Sequence, residues 1–241
     1  MLRPPPANED ESPVPSYIAF QRWPCPERQP RWSSKINVDS RTGKWAVTLA
    51  RLKIWSDVDA VSANPATLAR RSPICDVATD KIPGAHKFIM DTGATSTYVH
   101  KEILTAIRKA KFLSMNQTNS SSQYPGAPYY VSRDFLQRHD VTVELTFKNT
   151  NNSLVSVYVP ALGFLYNSLG EGLIWEAPAN SGGQASDWSG LLGLNFFQVV
   201  YAAFHRPTYH SGIAPYIHLA PQTRADTKAG LYDVPPEKEG H

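Results

Sequence analysis

The stretch Phe88–Ser96 constrains the fold of this 241-residue chain more than any other part of its sequence. It opens with the apolar run Phe88–Met90, which favours a buried strand, and passes directly into Asp91-Thr92-Gly93. Small residues follow the glycine. A strand that ends in this way predicts a carboxylate held at the tip of a buried strand. Asp-Thr-Gly or Asp-Ser-Gly occurs nowhere else in the sequence.

The residues after Gly93 predict one amphipathic helix. Apolar side chains recur about every four positions, while charged side chains occupy the other faces; the apolar positions are Val99, Ile103, Ile107 and Ala110. Ser96 or Thr97 can cap the start of this helix. A change from strand to helical periodicity across a glycine indicates that the chain turns sharply at this point.

The rest of the chain has mainly strand patterns. Lys35–Val38 and Lys44–Leu49 predict a hairpin around the turn-forming residues 39–43. Val141–Phe147 alternates between apolar and polar residues and predicts a half-buried strand. Further strands are predicted at 73–77, 85–90, 154–165 and on both sides of a loop at 207–215. Residues 56–72 predict a loop that has room for a short helical turn. The fold class is therefore mostly β, with one main helix.

Composition and charge narrow the classes of protein. Apolar residues make up 41% and charged residues 19%, which is typical of a globular protein with a sizeable core. The net charge is only +3 and the sequence contains no long basic run, so no nucleic-acid partner is expected. No apolar run reaches the roughly 18 residues of a membrane span. The amino terminus lacks the pattern of a secretory signal.

We expect a disordered, Pro-rich and acidic lead-in at 1–29, one domain at 30–221 and a polar, frayed tail at 222–241. Cys25 and Cys75 allow one disulfide, but the sequence leaves their redox state open. The cysteines and histidines lack metal-ligand spacing, and phosphate- or dinucleotide-binding motifs are missing. We therefore expect neither a metal nor a cofactor.

A second motif accompanies Asp91-Thr92-Gly93, and its order and spacing in the chain are informative. Leu191-Leu192-Gly193 places two apolar residues before a glycine about 100 residues after Gly93. Taken alone, this segment is typical of an ordinary core strand and turn, and Asp-Thr-Gly alone also occurs as an ordinary turn. Their joint occurrence favours a strand that passes beneath the loop of Asp91 and supports it.

These motifs together resemble the C-terminal lobe of a pepsin-like aspartic peptidase, over about residues 30–221. Phe88–Ser96 resembles its second catalytic loop and Val99–Lys111 the helix after that loop. Weaker similarities are found at 43–54, 130–147, 154–159, 191–204 and 216–221, of which the last two are similar to the closing pattern of the lobe. The resemblance implies a single lobe of the acid protease fold, with a β barrel as its expected form. Retroviral-type aspartic peptidases are a more distant likeness.

The resemblance implies roles for individual residues. Asp91 matches the catalytic aspartate, Thr92 the interlocking threonine and Gly93 the loop glycine, while Leu192 and Gly193 match the supporting strand. Ala94 and Thr95 occupy positions of substrate contact. Ala94 departs from the hydroxyl residue usual in the family, and Leu194 from an acidic one. The first lobe, with its own Asp-Thr-Gly and its flap tyrosine, has no counterpart in the sequence.

An aspartic peptidase needs two carboxylates about 3 Å apart that share one proton. The resemblance therefore implies an endopeptidase that cleaves a polypeptide substrate, with the second carboxylate from a separate N-terminal lobe or from a second copy in a homodimer. The alternative is a truncated, catalytically silent lobe that binds peptides or other partners. A retroviral-type dimer is a third reading and predicts a flap near Tyr124–Tyr130. The family is usually secreted or vacuolar.

Overall fold

The structure is a computed structural model, and it describes residues 30–39, 43–60, 62–110, 129–131, 141–151, 153–168, 171–177, 188–206, 213–224, 227–228 and 230–234. The lead-in predicted to be disordered, residues 1–29, lies outside these ranges, as do Cys25 and Tyr124. The described part is mostly β with few helices, which confirms the predicted class. None of its helices is long and apolar enough to cross a membrane.

Sixteen strands are present in the described ranges, and most of them are short. They are β1 Ile36–Asn37, β2 Ala46–Trp55, β3 Cys75–Val77, β4 Lys87–Met90, β5 Tyr98–Val99, β6 Tyr129–Val131, β7 Thr142–Lys148, β8 Leu154–Pro160, β9 Tyr166–Ser168, β10 Glu171–Glu176, β11 Gly190–Leu192, β12 Val200–His205, β13 Tyr216–Pro221, β14 Thr223–Arg224, β15 Thr227–Lys228 and β16 Gly230–Val234.

Helices are few and, with one exception, a single turn long. They are α1 Pro65–Leu68, α2 Lys101–Lys109, α3 Ala161–Phe164 and α4 Leu194–Phe197, with a 3-10 turn at Thr79–Lys81. The main helix is α2, as predicted. Ser96 and Thr97 do not cap it, because two further residues form β5 before the helix begins; His100 is the N-cap instead, and its Nδ1 accepts a hydrogen bond from the backbone N–H of Glu102 at 3.3 Å.

The largest sheet has the strand order β16-β8-β7-β2-β4-β11-β5-β10-β6, with β3 beside β2 and β9 beside β10. Two pairs in it are parallel, β4 with β11 and β5 with β10. A second sheet has the order β1-β13-β12. Among the described strands the large sheet stays open, because β6 and β16 stand at opposite ends of the order. The expectation of a closed barrel is therefore wrong for this part of the chain.

The main core lies between α2 and the large sheet. Ile103, Leu104 and Ile107 of α2 are buried in the same cluster as Phe88 and Leu192. Two of these helical positions were predicted from the four-residue spacing. The helix therefore shares one core with the strand that leads to Asp91, and burial of an apolar side chain of this kind contributes about 1.5–3 kcal/mol to stability.

The predicted hairpin at residues 35–49 forms only in part. Val38 bridges to Val47, and the N–H of Asp39 donates to the carbonyl of Ala46 at 2.8 Å. The first strand, β1, instead pairs mainly with β13, nearly 180 residues further along the chain. The two predicted strands around residues 81–84 are present as β3 and β4, and both pair with β2.

Strand β7 is buried on both faces, so the prediction of a half-buried strand is wrong. Its polar residues are satisfied internally: Glu144 accepts hydrogen bonds from the indole N–H of Trp55 at 3.0 Å and from Ser156 at 3.1 Å. The segment around α1 covers this face, and Val58 and Leu68 form a second apolar cluster there with Trp55. Alternation cannot distinguish a solvated polar face from a covered one.

Two boundaries also differ from prediction. The strand predicted for 154–165 ends at Pro160, and α3 follows, because proline has no N–H for the ladder and is tolerated where a helix begins. The tail at 222–241 was predicted to be frayed, which is wrong for Gly230–Val234. This segment forms β16 and pairs with the otherwise free edge of β8.

Candidate functional site

Three short strands hold the loop Asp91–Thr97 in place. β4 leads into the loop, β5 leads out of it, and β11 lies between them, parallel to β4 and antiparallel to β5. The register pairs Ile89 with Leu191 and Leu191 with Tyr98. Both ends of the loop are therefore hydrogen-bonded to the same central strand, which fixes the distance that the loop must span.

Asp91 is the first residue after β4 and its side chain is half-buried. The carboxylate oxygen Oδ1 accepts the N–H of Gly93 at 2.8 Å, and the Asp91 carbonyl accepts the N–H of Ala94 at 3.3 Å. These bonds form a tight turn that orients the side chain, since an Asp at the start of a turn commonly bonds the backbone two residues on. Within the described ranges no other carboxylate is hydrogen-bonded to it.

The next two predicted residues have distinct environments. Thr92 is exposed, and its hydroxyl makes no hydrogen bond within the described part of the chain. Gly93 is exposed too, but a Cβ at this position would lie 3.2 Å from Oδ1 of Asp91. Glycine therefore suits the turn because of crowding against the carboxylate.

The segment Leu192–Asn195 runs along the whole length of the loop. The carbonyl of Leu192 accepts the N–H of Asp91 at 3.1 Å, and the N–H of Leu194 donates to the carbonyl of Ala94 at 2.8 Å. At the far end the side-chain amide of Asn195 donates from Nδ2 to Oγ1 of Thr97 at 2.8 Å. The loop is thus tied at its first, fourth and seventh residues.

Gly193 sits where this segment comes closest to the loop. A Cβ built on it would lie 2.4 Å from the carbonyl oxygen of Ser96 and 2.7 Å from that of Ala94. Real Cβ atoms do not approach backbone atoms so closely, so only glycine fits without displacing the loop. Leu192 and Gly193 therefore lie directly against the loop.

The two residues predicted to contact substrate lie in the middle of the loop. Ala94 is half-buried, and both its backbone N–H and its carbonyl are hydrogen-bonded, whereas Thr95 is exposed. The hydroxyl of Thr95 lies 3.2 Å from that of the buried Ser96. Of the two side chains, that of Thr95 is the more exposed.

Asn195 and Thr97 are site residues that the sequence reasoning missed. Both are buried, with 2% and 0% exposure, and they connect α4 to the end of the loop. The signal was present, because Asn195 interrupts the apolar run from Leu191 to Phe197 and a buried amide needs a partner. Sequence alone could not identify that partner, which lies 98 positions earlier.

His100 is the N-cap of α2, three residues after the end of the loop. Burial lowers the pKa of His100, and the nearby Glu102 carboxylate opposes this only in part. A neutral imidazole is also what its role as an acceptor in the N-cap of α2 requires. Elsewhere, Cys75 is a buried free thiol, and burial raises its pKa to about 11. Within the described residues no three metal-ligating side chains converge.

Comparisons with known proteins do not assign the chain to a family. No protein-family model matches it, and the curated proteins give no significant match.

The stability of the fold should depend on the protonation of His100. Because burial lowers its folded pKa, its contribution is present above the usual imidazole pKa of about 6.5 and is lost as the pH falls through the folded value. His100→Asn keeps a capping acceptor that does not titrate. In urea unfolding at about pH 7 and pH 5, the variant should lose less stability than the parent. Parallel losses in both proteins would contradict this role.

Gly193→Ala should destabilise the protein by about 1–3 kcal/mol, as overpacking of a filled site does. The added methyl group meets backbone oxygens of the loop, so the loop itself must move. Urea unfolding measures the loss. Thr95→Ala, an exposed change in the same loop, is the control and should alter stability by no more than about 0.5 kcal/mol. Equal effects of the two substitutions would show that the close approach at Gly193 is unimportant.

Proposed function

We propose that this chain is one half of an aspartic-type endopeptidase, in which Asp91 is one of two water-activating carboxylates. The observation that carries the proposal is the position of Asp91, half-buried at the end of β4 on a turn that β11 and the Leu192–Asn195 segment tie down. Water activation by a carboxylate needs a rigid support of this kind, because the reacting groups tolerate only small errors in position.

The chemistry needs two such groups. One ionised carboxylate accepts a proton from a water molecule as that water attacks the scissile carbonyl carbon, and the protonated partner donates a hydrogen bond to the carbonyl oxygen. The tetrahedral adduct then breaks its C–N bond, and the amine leaves with a proton from the same pair. The substrate is an extended polypeptide. No covalent intermediate and no cofactor take part.

Asp91 alone cannot carry out both roles. The second carboxylate comes either from a second copy, as in a two-fold homodimer, or from a separate N-terminal lobe. The exposed hydroxyl of Thr92 supports an arrangement of this type, since it makes no hydrogen bond within the described residues and can bond a matching loop. Thr92 and Gly93 thus form the surface that meets the partner.

A catalytically silent, peptide-binding module is the second candidate. It is favoured by one observation: no other carboxylate is bonded to Asp91 within the described residues. A lone carboxylate titrates in a single step, whereas a pair at close range titrates in two separated steps. A single-step titration of Asp91 at the concentration used for activity assays would favour the silent module.

A retroviral-type dimer ranks lower. It requires a flap near Tyr124–Tyr130, but Tyr129 and Tyr130 lie in β6, which pairs with β10 in the large sheet. Tyr124 lies outside the described residues. Because Tyr129 and Tyr130 are paired into the sheet, they support the pepsin-like reading over the retroviral-type one.

Asp91→Asn should abolish cleavage of an unfolded protein substrate at acidic pH, reducing the rate at least about 100-fold, because general acid–base catalysis is lost. A statine-containing inhibitor should have the same effect on the parent. Asp80→Asn is the matched control, since Asp80 is an ordinary carboxylate paired with Lys148 at 3.4 Å. Its activity should equal that of the parent. Full activity of Asp91→Asn would exclude the proposal.

Mixing the parent with the Asp91→Asn chain identifies the partner. If two copies form the site, random pairing at equal amounts leaves about one quarter of the pairs with both carboxylates. The activity should then fall to about that fraction at constant total protein. If a separate lobe supplies the carboxylate, activity should require that lobe and fall only in proportion to the parent chain. Refolding with the Asp80→Asn chain is the control and should leave the activity unchanged.

A further inference from the structure

The side-chain amide of Asn195 is an unusual group to find beneath the loop. It is 2% exposed and lies on the single-turn helix α4, next in the chain to the buried Phe196. Nδ2 is bonded to Thr97, but Oδ1 is buried without a hydrogen-bond partner in the described residues. Burying an unpaired polar atom costs about 1–3 kcal/mol.

The bond to Thr97 completes the attachment of the loop. The other two connections, at Asp91 and Ala94, are made by backbone groups that any sequence would supply. The connection at Thr97 depends on two side chains, Asn195 and Thr97. Thr97 is also the point where the loop enters the sheet, since its carbonyl accepts the N–H of Trp175 at 3.1 Å. A shift of Thr97 therefore changes the distance that the loop must span from Asp91.

We propose that the Asn195–Thr97 pair positions Asp91 for catalysis, at a cost in stability. Asn195 does not touch the carboxylate and acts through the loop. The inference rests on the proposed endopeptidase function, because its benefit lies in the precise placement of a water-activating group. Misplacement of a catalytic group by about 1 Å reduces rates on the order of 100-fold.

Gln222 provides an internal comparison. It too is a fully buried amide, its Nε2 donates to the carbonyl of Phe197 at 2.9 Å, and its Oε1 is unpartnered in the described part. It therefore matches Asn195 in chemistry and burial. It contacts the end of α4 rather than the loop, so it reports the purely structural effect of removing a buried amide.

The test compares Thr97→Val, Asn195→Leu and Gln222→Leu in the full chain under the conditions in which the parent is active. Thr97→Val keeps the shape of the side chain and removes the hydroxyl. Thr97→Val and Asn195→Leu should each lower kcat by roughly 10- to 100-fold, because the loop is displaced. KM should change little, because the surface that binds the substrate is unaltered. Thr97→Ser restores the hydroxyl and should recover most of kcat. Gln222→Leu should keep the parental kcat.

Hydrogen exchange of the loop provides a readout that does not need activity. The N–H groups of Asp91, Gly93 and Ala94 are all hydrogen-bonded. Their exchange should become at least about tenfold faster in Thr97→Val and Asn195→Leu, as expected when local opening is easier, and should stay at the parental rate in Gln222→Leu. Unchanged exchange would overturn the positioning role whatever the activity.

The two proposals fail in different ways. Retention of kcat in Thr97→Val and Asn195→Leu, alongside loss of activity in Asp91→Asn, would overturn only the positioning role. Full activity of Asp91→Asn would overturn the peptidase, and faster loop exchange without any effect on catalysis would then show Asn195 to be a structural residue.

Discussion

The parallel pairing of β4 with β11 is the interaction on which the rest of the site depends. It joins segments about 100 residues apart and continues one step beyond the strands, through the bond from the N–H of Asp91 to the carbonyl of Leu192. Parallel strands need long connections, and here the connection contains α2 and the pair β7 and β8. The position of one carboxylate is therefore set by the folding of most of the domain.

Close packing beneath the loop follows from this pairing. Because Leu192 is bonded to Asp91, the next residue must pass under the turn, and only glycine fits there. The chain then turns into α4, which brings Asn195 to the far end of the loop. Glycine satisfies this close approach, whereas the buried amide leaves one oxygen unpaired within the described residues, which costs stability. A tightly packed glycine and a costly polar group therefore lie on one short segment beneath the loop.

The elements that sequence predicted are those specified locally. The strand before Asp91, the helix stripe of Ile103 and Ile107, and the glycine of residues 191–193 each follow from nearby residues, and the structure contains all of them. The elements it missed depend on distant partners. β16 forms because β8 has a free edge, and the polar face of β7 is buried because the segment around α1 folds over it. The spacing of apolar residues along one segment does not predict contacts with distant segments.

The same distinction applies within the site. Asp91, Thr92 and Gly93 could be predicted because a short motif describes a single turn, whereas the bond between Asn195 and Thr97 joins residues 98 positions apart. A motif also cannot supply the second carboxylate that the proposed function needs. Two carboxylates at close range repel when both are ionised, so under that proposal the contact between the two halves would have to outweigh the repulsion. One proton shared by the pair would remove most of it, which is why the proposed activity belongs at acidic pH.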